Sequence, residues 1–176
     1  QSIFIGIKGS FAMWVGAMIP DIKQKLLLVT DPGMEEEVLT RLSRVGYDQT
    51  IGFLDGGFES WSNAGKEIDT MEQISASGLD QLADPVVVDV RKIGEYQSEH
   101  LPNAIHASLE LINNHMTELP TEGKFYVHCA GGYRSVIAAS ILKARGIHNL
   151  VDVVGGFGAI KAAGIPVSDY VCPTTL

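Results

Sequence analysis

Cysteine is scarce. Cys129 and Cys172 are the only two in 176 residues, too few for the dense disulfide framework of a small secreted module. In an acidic chain, two thiols so far apart point to a reducing, cytoplasmic setting. Basic side chains are few as well: 13 Lys and Arg face 21 Asp and Glu, for a net charge of −8. Nucleic acid and anionic membrane surfaces are therefore poor partners. The apolar N-terminal run from Phe11 to Ile19 is nine residues, about half of a membrane-spanning helix. Neither a basic cluster nor a small-residue cleavage pattern flanks it, as a signal peptide would require. An initiating Met is also missing, and Gln1 suits a processed chain or a piece of a longer one. Against these absences, 45% of the residues are apolar and 19% charged, enough to build a core and to argue against disorder.

A repeat replaces the single domain that length alone suggests. Leu26 to Ile68 and Phe125 to Val167 follow one plan. Each opens on an apolar run, LLLVT or FYVHC, that reads as a buried strand. A short loop with glycine leads into a helix-like stretch ending at Gly46 or Gly146, a C-cap signal. A second apolar run follows, then Gly56-Gly57-Phe58 or Gly155-Gly156-Phe157, then Ala64-Gly65 or Ala163-Gly164. The spacing is 99 residues from Gly57 to Gly156 and 100 from Gly46 to Gly146, far above the roughly 20 to 50 of solenoid repeats. Nothing in the first copy answers to the stretch from about Ile74 to Glu99, so the first copy is expected to lack its opening strand. Two modules are expected: a truncated one over residues 1–70 and a complete one over 71–176.

The second copy alternates strand and helix. Strands are expected at Val86 to Val90, Ala104 to His106, Phe125 to His128 and Leu150 to Val154. Helices are expected near Gly94 to Ser98, Leu109 to Met116, Ser135 to Arg145 and Phe157 to Ala163. Asp69 to Gln73 reads as a linker, and Ser77 as the N-cap of a helix over Gly78 to Leu82. VVVDV and FYVHC are continuous apolar runs rather than alternating ones, the pattern of a parallel sheet covered on both faces. The fold class is α/β.

In such sheets ligands bind beyond the carboxyl ends of the strands. Cys129-Ala130-Gly131-Gly132-Tyr133-Arg134-Ser135 lies at such an end, between a strand and a helix. Two glycines allow the backbone to curl with its N–H groups inward, forming an anion-binding nest, and the helix start adds a positive dipole end. A cysteine placed there is expected to act as a thiolate nucleophile.

This loop and its surroundings resemble the rhodanese (sulfurtransferase) family. The matching residues are Asp89-Val90-Arg91, Glu95-Tyr96, His100-Leu101-Pro102-Asn103-Ala104, the Cys-x-x-Gly-x-Arg-Ser loop Cys129 to Ser135, and Gly155-Gly156-Phe157. They run in family order over roughly Ile74 to Val167. Glu99 stands where a Gly usually precedes the His, and Asn103 where a Gly usually follows the Pro. The resemblance implies that Cys129 accepts a sulfane sulfur and carries it as a persulfide, cradled by the amides of Ala130, Gly131, Gly132, Tyr133, Arg134 and Ser135. It implies no metal or organic cofactor in this chain, and small sulfur donors and thiol acceptors as partners. Arg134, the second catalytic candidate, would support the loop and its positive potential. Arg91 would contact an anionic donor or pair with a carboxylate such as Glu95. Asp89 would organise the strand end, and Tyr133 would shape the pocket mouth or lie exposed. Strand alternation turns His128 away from Cys129, into a structural place.

A cysteine phosphatase or arsenate reductase is the competing reading, but its loop from Cys to Arg is one residue longer than the four residues between Cys129 and Arg134. A single sulfur suits the tighter loop. A non-catalytic sulfur-sensing or docking module is the alternative from another class. In the first copy Asp31 is read in the place of the cysteine, within a shorter loop, with Pro32 removing an N–H and Glu35, Glu36 and Glu37 repelling anions. That copy is expected to be silent. Cys172 has no glycine nest, and His106, His115 and His148 lack metal-ligand spacing. The paired copies, with KGSFAMWVG and the acidic EEE helix, resemble the C-terminal part of proteins with an N-terminal metallo-β-lactamase-fold domain, similar to persulfide dioxygenases. Their iron would lie in that other domain. Homo-oligomerisation stays open.

Overall fold

The computed structural model describes residues 2–172. They pack as two compact units, one of Ile5–Thr70 and the other of residues 2–4 with 71–172. No helix among the described residues is long and apolar enough to cross a membrane.

The first unit runs α1 (Phe11–Met18), β1 (Leu26–Leu28), α2 (Glu35–Ser43), β2 (Thr50–Phe53) and α3 (Gly57–Asn63). β1 and β2 pair in parallel. The apolar N-terminal run thus becomes a core helix: Phe11 and Val15 pack with Val38, Leu42 and Tyr47, and Leu26 and Leu28 join from the strand. The intervening Leu27 is left 74% exposed, because a two-stranded sheet has a helix over one face only.

The second unit runs β3 (Gln73–Ile74), α4 (Ala76–Asp80), β4 (Val86–Asp89), α5 (Ile93–Ser98), β5 (Ile105–His106), β6 (Phe125–His128), α6 (Tyr133–Ala144), β7 (Leu150–Val153) and α7 (Gly156–Ala162). Its five strands are all parallel, in the order β3-β7-β6-β4-β5, with β6 at the centre. Val87 and Val153 pack with Leu79 of α4 and Ile160 of α7. α6 lies against β6 and β7 and buries Ile137, Ala138, Ile141 and Leu142. This is the α/β architecture with a helix-flanked parallel sheet expected from the apolar runs.

Three local expectations differ. The stretch from Leu109 to Met116 is two 3-10 turns, Leu109–Leu111 and Met116–Glu118; Asn113 and Asn114 favour turns over helix interiors. Ser75 rather than Ser77 caps α4, its hydroxyl accepting the Gly78 N–H at 3.1 Å. Gln73 belongs to an edge strand rather than to a linker, held by pairing with Asp152 and by its side-chain N–H, which donates to that carboxylate at 3.2 Å.

Candidate active site

Cys129 follows the last residue of the central strand, and α6 begins four residues later. It is 2% exposed, and its Sγ accepts the Gly132 N–H at 3.1 Å. Gly132 is the N-cap of α6 with φ of 102°, a conformation costly for any residue with a Cβ. Gly131 does not share it, so one glycine rather than two makes the turn. A Cβ on either would meet nothing within 4 Å; the outer side of the loop faces open space. The twelve-residue α6 directs its positive dipole end at the sulfur.

α7 holds the loop from the other side. The Phe157 N–H donates to the Cys129 carbonyl at 2.7 Å and the Gly158 N–H to the Ala130 carbonyl at 3.1 Å. Gly156 permits this approach: at φ of 56° a Cβ there would lie 2.3 Å from the Cys129 oxygen. Sequence reasoning used the Gly-Gly-Phe step as a mark of the repeat and missed its place in the site. Two consecutive glycines at a helix start were the available signal, since they mark close backbone approach.

Arg91 pairs with a carboxylate, one of its two expected roles, but the partner differs. Arg91, 4% exposed, turns to Asp89 rather than to Glu95. Its Nε bonds both carboxylate oxygens at 3.0 and 2.9 Å and its Nη2 bonds Oδ2 at 2.6 Å. Nη2 also donates to the Glu99 carbonyl at 2.7 Å, and the guanidinium lies 3.8 Å from the Phe157 ring centre. Asp89 does organise the strand end, accepting the Arg91 N–H at 2.9 Å. Glu95 instead receives Arg134 through two bonds of 2.5 and 2.8 Å. That guanidinium is the main cause holding the Glu95 carboxyl below the usual carboxylate range, and Glu95 in turn raises Arg134. The charge of Arg134 is thus answered by a carboxylate, so its local effect is to tie α6 to α5 more than to add positive potential. The reason is register: Glu95 is the third residue of α5, and it also accepts the Lys92 N–H at 3.2 Å.

Among the remaining candidates, Ala130 and Gly131 are exposed and Tyr133 is half-buried; burial pushes the Tyr133 phenol up. Ser135 is fully buried and its hydroxyl donates to the Gly132 carbonyl at 3.2 Å, serving the loop rather than an incoming ligand. An open cleft of about 970 Å³ lies alongside, with Arg91, Ile93, Glu95, Leu111, Phe157 and Lys161 in its wall. Cys129 is not part of that wall. Among the described residues no group of three or more His, Cys, Asp and Glu could hold a metal ion.

In the first unit a Cβ on Gly57 would lie 2.2 Å from the Thr30 carbonyl oxygen, a close approach like that of Gly156 to Cys129. Thr30, not Asp31, therefore faces the second glycine, two residues past the end of β1. α2 begins at Glu35, five positions on, so the segment is not shorter than the Cys129 loop.

Several known proteins resemble the chain. It is 38% identical over 86 residues to the adenylyltransferase and sulfurtransferase uba4 of Ogataea parapolymorpha, covering 48% of this chain but only 22% of that protein's length. It is 30% identical over 99 residues to the thiosulfate sulfurtransferase GlpE of Coxiella burnetii, covering 56% of this chain and 92% of that one. A thiosulfate sulfurtransferase structure from Pseudomonas aeruginosa superposes with a TM-score of 0.50 at 24% identity, over 89% of this chain and 35% of that one, a likeness of fold. Residues 74–163, just over half of the chain, match the family described as Rhodanese-like domain, and the chain belongs to that family.

Proposed function

We propose that this protein is a sulfurtransferase that carries a sulfane sulfur on Cys129. The observation that supports it best is the Cys129 thiol at the end of the central strand, taking the Gly132 N–H at 3.1 Å at the start of α6. A loop so tight suits one sulfur atom rather than a tetrahedral oxyanion. In the first half-reaction the Cys129 thiolate attacks the outer sulfur of thiosulfate; the S–S bond of the donor breaks, sulfite leaves with the bonding pair, and a Cys129 persulfide remains. In the second, a thiolate or cyanide attacks the terminal sulfur and Cys129 leaves as thiolate. Loop N–H groups stabilise the anionic sulfur throughout. Low-molecular-weight persulfides are donors by the same chemistry.

Intact-mass measurement after incubation with thiosulfate tests this reading. One added sulfur is expected on the wild type and none on Cys129→Ser, with ping-pong kinetics in turnover. An unchanged wild-type mass overturns it. A persulfide that forms but passes to no thiol or cyanide marks a sulfur-sensing or docking module instead.

The first unit reads best as a silent copy of the same module. Support comes from the matching Gly57 and Gly156 approaches, the left-handed Gly56 and Gly155 N-caps and the superposition over 89% of the chain. The KGSFAMWVG segment and the acidic EEE helix support reading the pair as the C-terminal part of a persulfide-metabolising protein with a metallo-β-lactamase-fold domain, a reading checked by sequencing the coding region upstream of Gln1.

A further inference from the structure

We propose that His128 is a positioning residue for sulfur transfer, acting as a neutral imidazole with its proton on Nδ1. This rests on the reading of Cys129 as the sulfur carrier. His128 is fully buried. Its Nδ1 lies 3.3 Å from the Cys129 carbonyl oxygen, and its Nε2 is buried without a hydrogen-bond partner. A carbonyl can only accept, and a neutral imidazole has one N–H; that N–H is therefore on Nδ1, and Nε2 carries a lone pair. The nearest carboxylate, Oδ2 of Asp89, is 3.8 Å from Nε2. At that distance it accepts no hydrogen bond from the ring, and both Asp89 oxygens receive Arg91.

The groups facing the ring are Asp89 from β4, Arg91 after it, Asp152 from β7 and the Phe157 ring from α7, stacked at 5.9 Å between centres. Burial outweighs the attraction of the two carboxylates and disfavours the imidazolium.

The consequence for the nucleophile is directional. The Cys129 carbonyl takes two donors, the His128 Nδ1–H and the Phe157 N–H, and the Ala130 carbonyl takes the Gly158 N–H. With both carbonyls held against the β6 and α7 side, the peptide units between Cys129 and Gly132 are fixed so that an N–H reaches Sγ. Losing the imidazole donor leaves the Cys129 carbonyl to the Phe157 N–H alone, which loosens the Cys129 peptide and the aim of sulfur and cradle together.

The experiment has two arms. Ring ¹⁵N NMR of the resting protein, between about pH 5 and 8, is expected to show His128 neutral with the proton on Nδ1; an Nε2–H tautomer or a charged ring at neutral pH overturns the proposal. This arm needs no turnover, so it stands apart from any failure of sulfur transfer itself. In the second arm, His128→Leu is expected to lower kcat for thiosulfate about tenfold or more, with KM within about twofold. His128→Asn, whose amide can donate to the same carbonyl, is expected to restore most of it. A folded Leu variant with wild-type kcat, or an Asn variant no better than Leu, overturns the proposal; if the Leu variant does not fold, the NMR arm decides.

Discussion

Gly131 and Gly132 belong to the Cys129 loop and Gly156 packs against its backbone, yet a methyl group would cost each of them differently. At Gly131 the backbone is ordinary and the space is open, so Gly131→Ala should leave stability and loading nearly unchanged. At Gly132 the space is open but φ is 102°, and Gly132→Ala should cost about 1–2 kcal/mol and slow persulfide formation as the N–H leaves Sγ. At Gly156 both penalties apply, since a Cβ would lie 2.3 Å from the Cys129 oxygen at φ of 56°; Gly156→Ala should cost about 3 kcal/mol. Denaturant midpoints and the rate of sulfur loading, measured on all three, check this order. A Gly156→Ala protein as stable as the wild type would show that α7 does not hold the loop.

Between elements, the Arg134–Glu95 pair joins the first turn of α6 to α5. The Glu95 side chain is 36% exposed, so solvent screening limits the pair to about 0.5–1 kcal/mol. A double-mutant cycle of Glu95→Gln and Arg134→Gln should give a coupling of that size, and zero coupling would show that the two helices are joined by packing alone. Glu95 has a folded pKa below its ordinary value. The pair's contribution is therefore complete above the ordinary carboxylate range and fades as pH falls through it, an acid loss that Glu95→Gln should remove. At this scale most strands were legible because parallel-sheet runs such as FYVH are continuous and apolar. The 3-10 turns between β5 and β6 were not, since a short apolar pattern with two asparagines fits helix and turn alike.

Over the whole molecule, acid sensitivity should have a second source in His128. Its folded pKa lies below the ordinary imidazole value. On acidification the unfolded chain takes up a proton near pH 6.5 that the folded chain refuses, so stability is full above that pH and declines below it. Urea titrations at pH 7 and 5.5 should show the loss, and His128→Asn should reduce it; an equal loss in that variant would assign it elsewhere. The first unit exposes Leu27, Ile51 and Phe53 on its strands and Val29 just after β1, 74, 59, 50 and 57% accessible. Leu27→Lys with Phe53→Lys should lower binding of a hydrophobic dye without changing sulfur loading at Cys129, because both substitutions lie in the first unit and Cys129 in the second.

The sequence by itself determined the α/β class, the repeated glycine steps and the cysteine at a strand end, because each is written in local pattern: apolar runs, paired glycines, and a cysteine between a strand and a helix start. Only the tertiary structure decided the partners. Arg91 met Asp89 and Phe157, Arg134 met Glu95, Gly156 met the Cys129 carbonyl, and Thr30 rather than Asp31 faced Gly57. Those contacts join residues on different strands and helices, and which of them meet depends on register and on how closely backbones approach, which spacing along a chain does not encode.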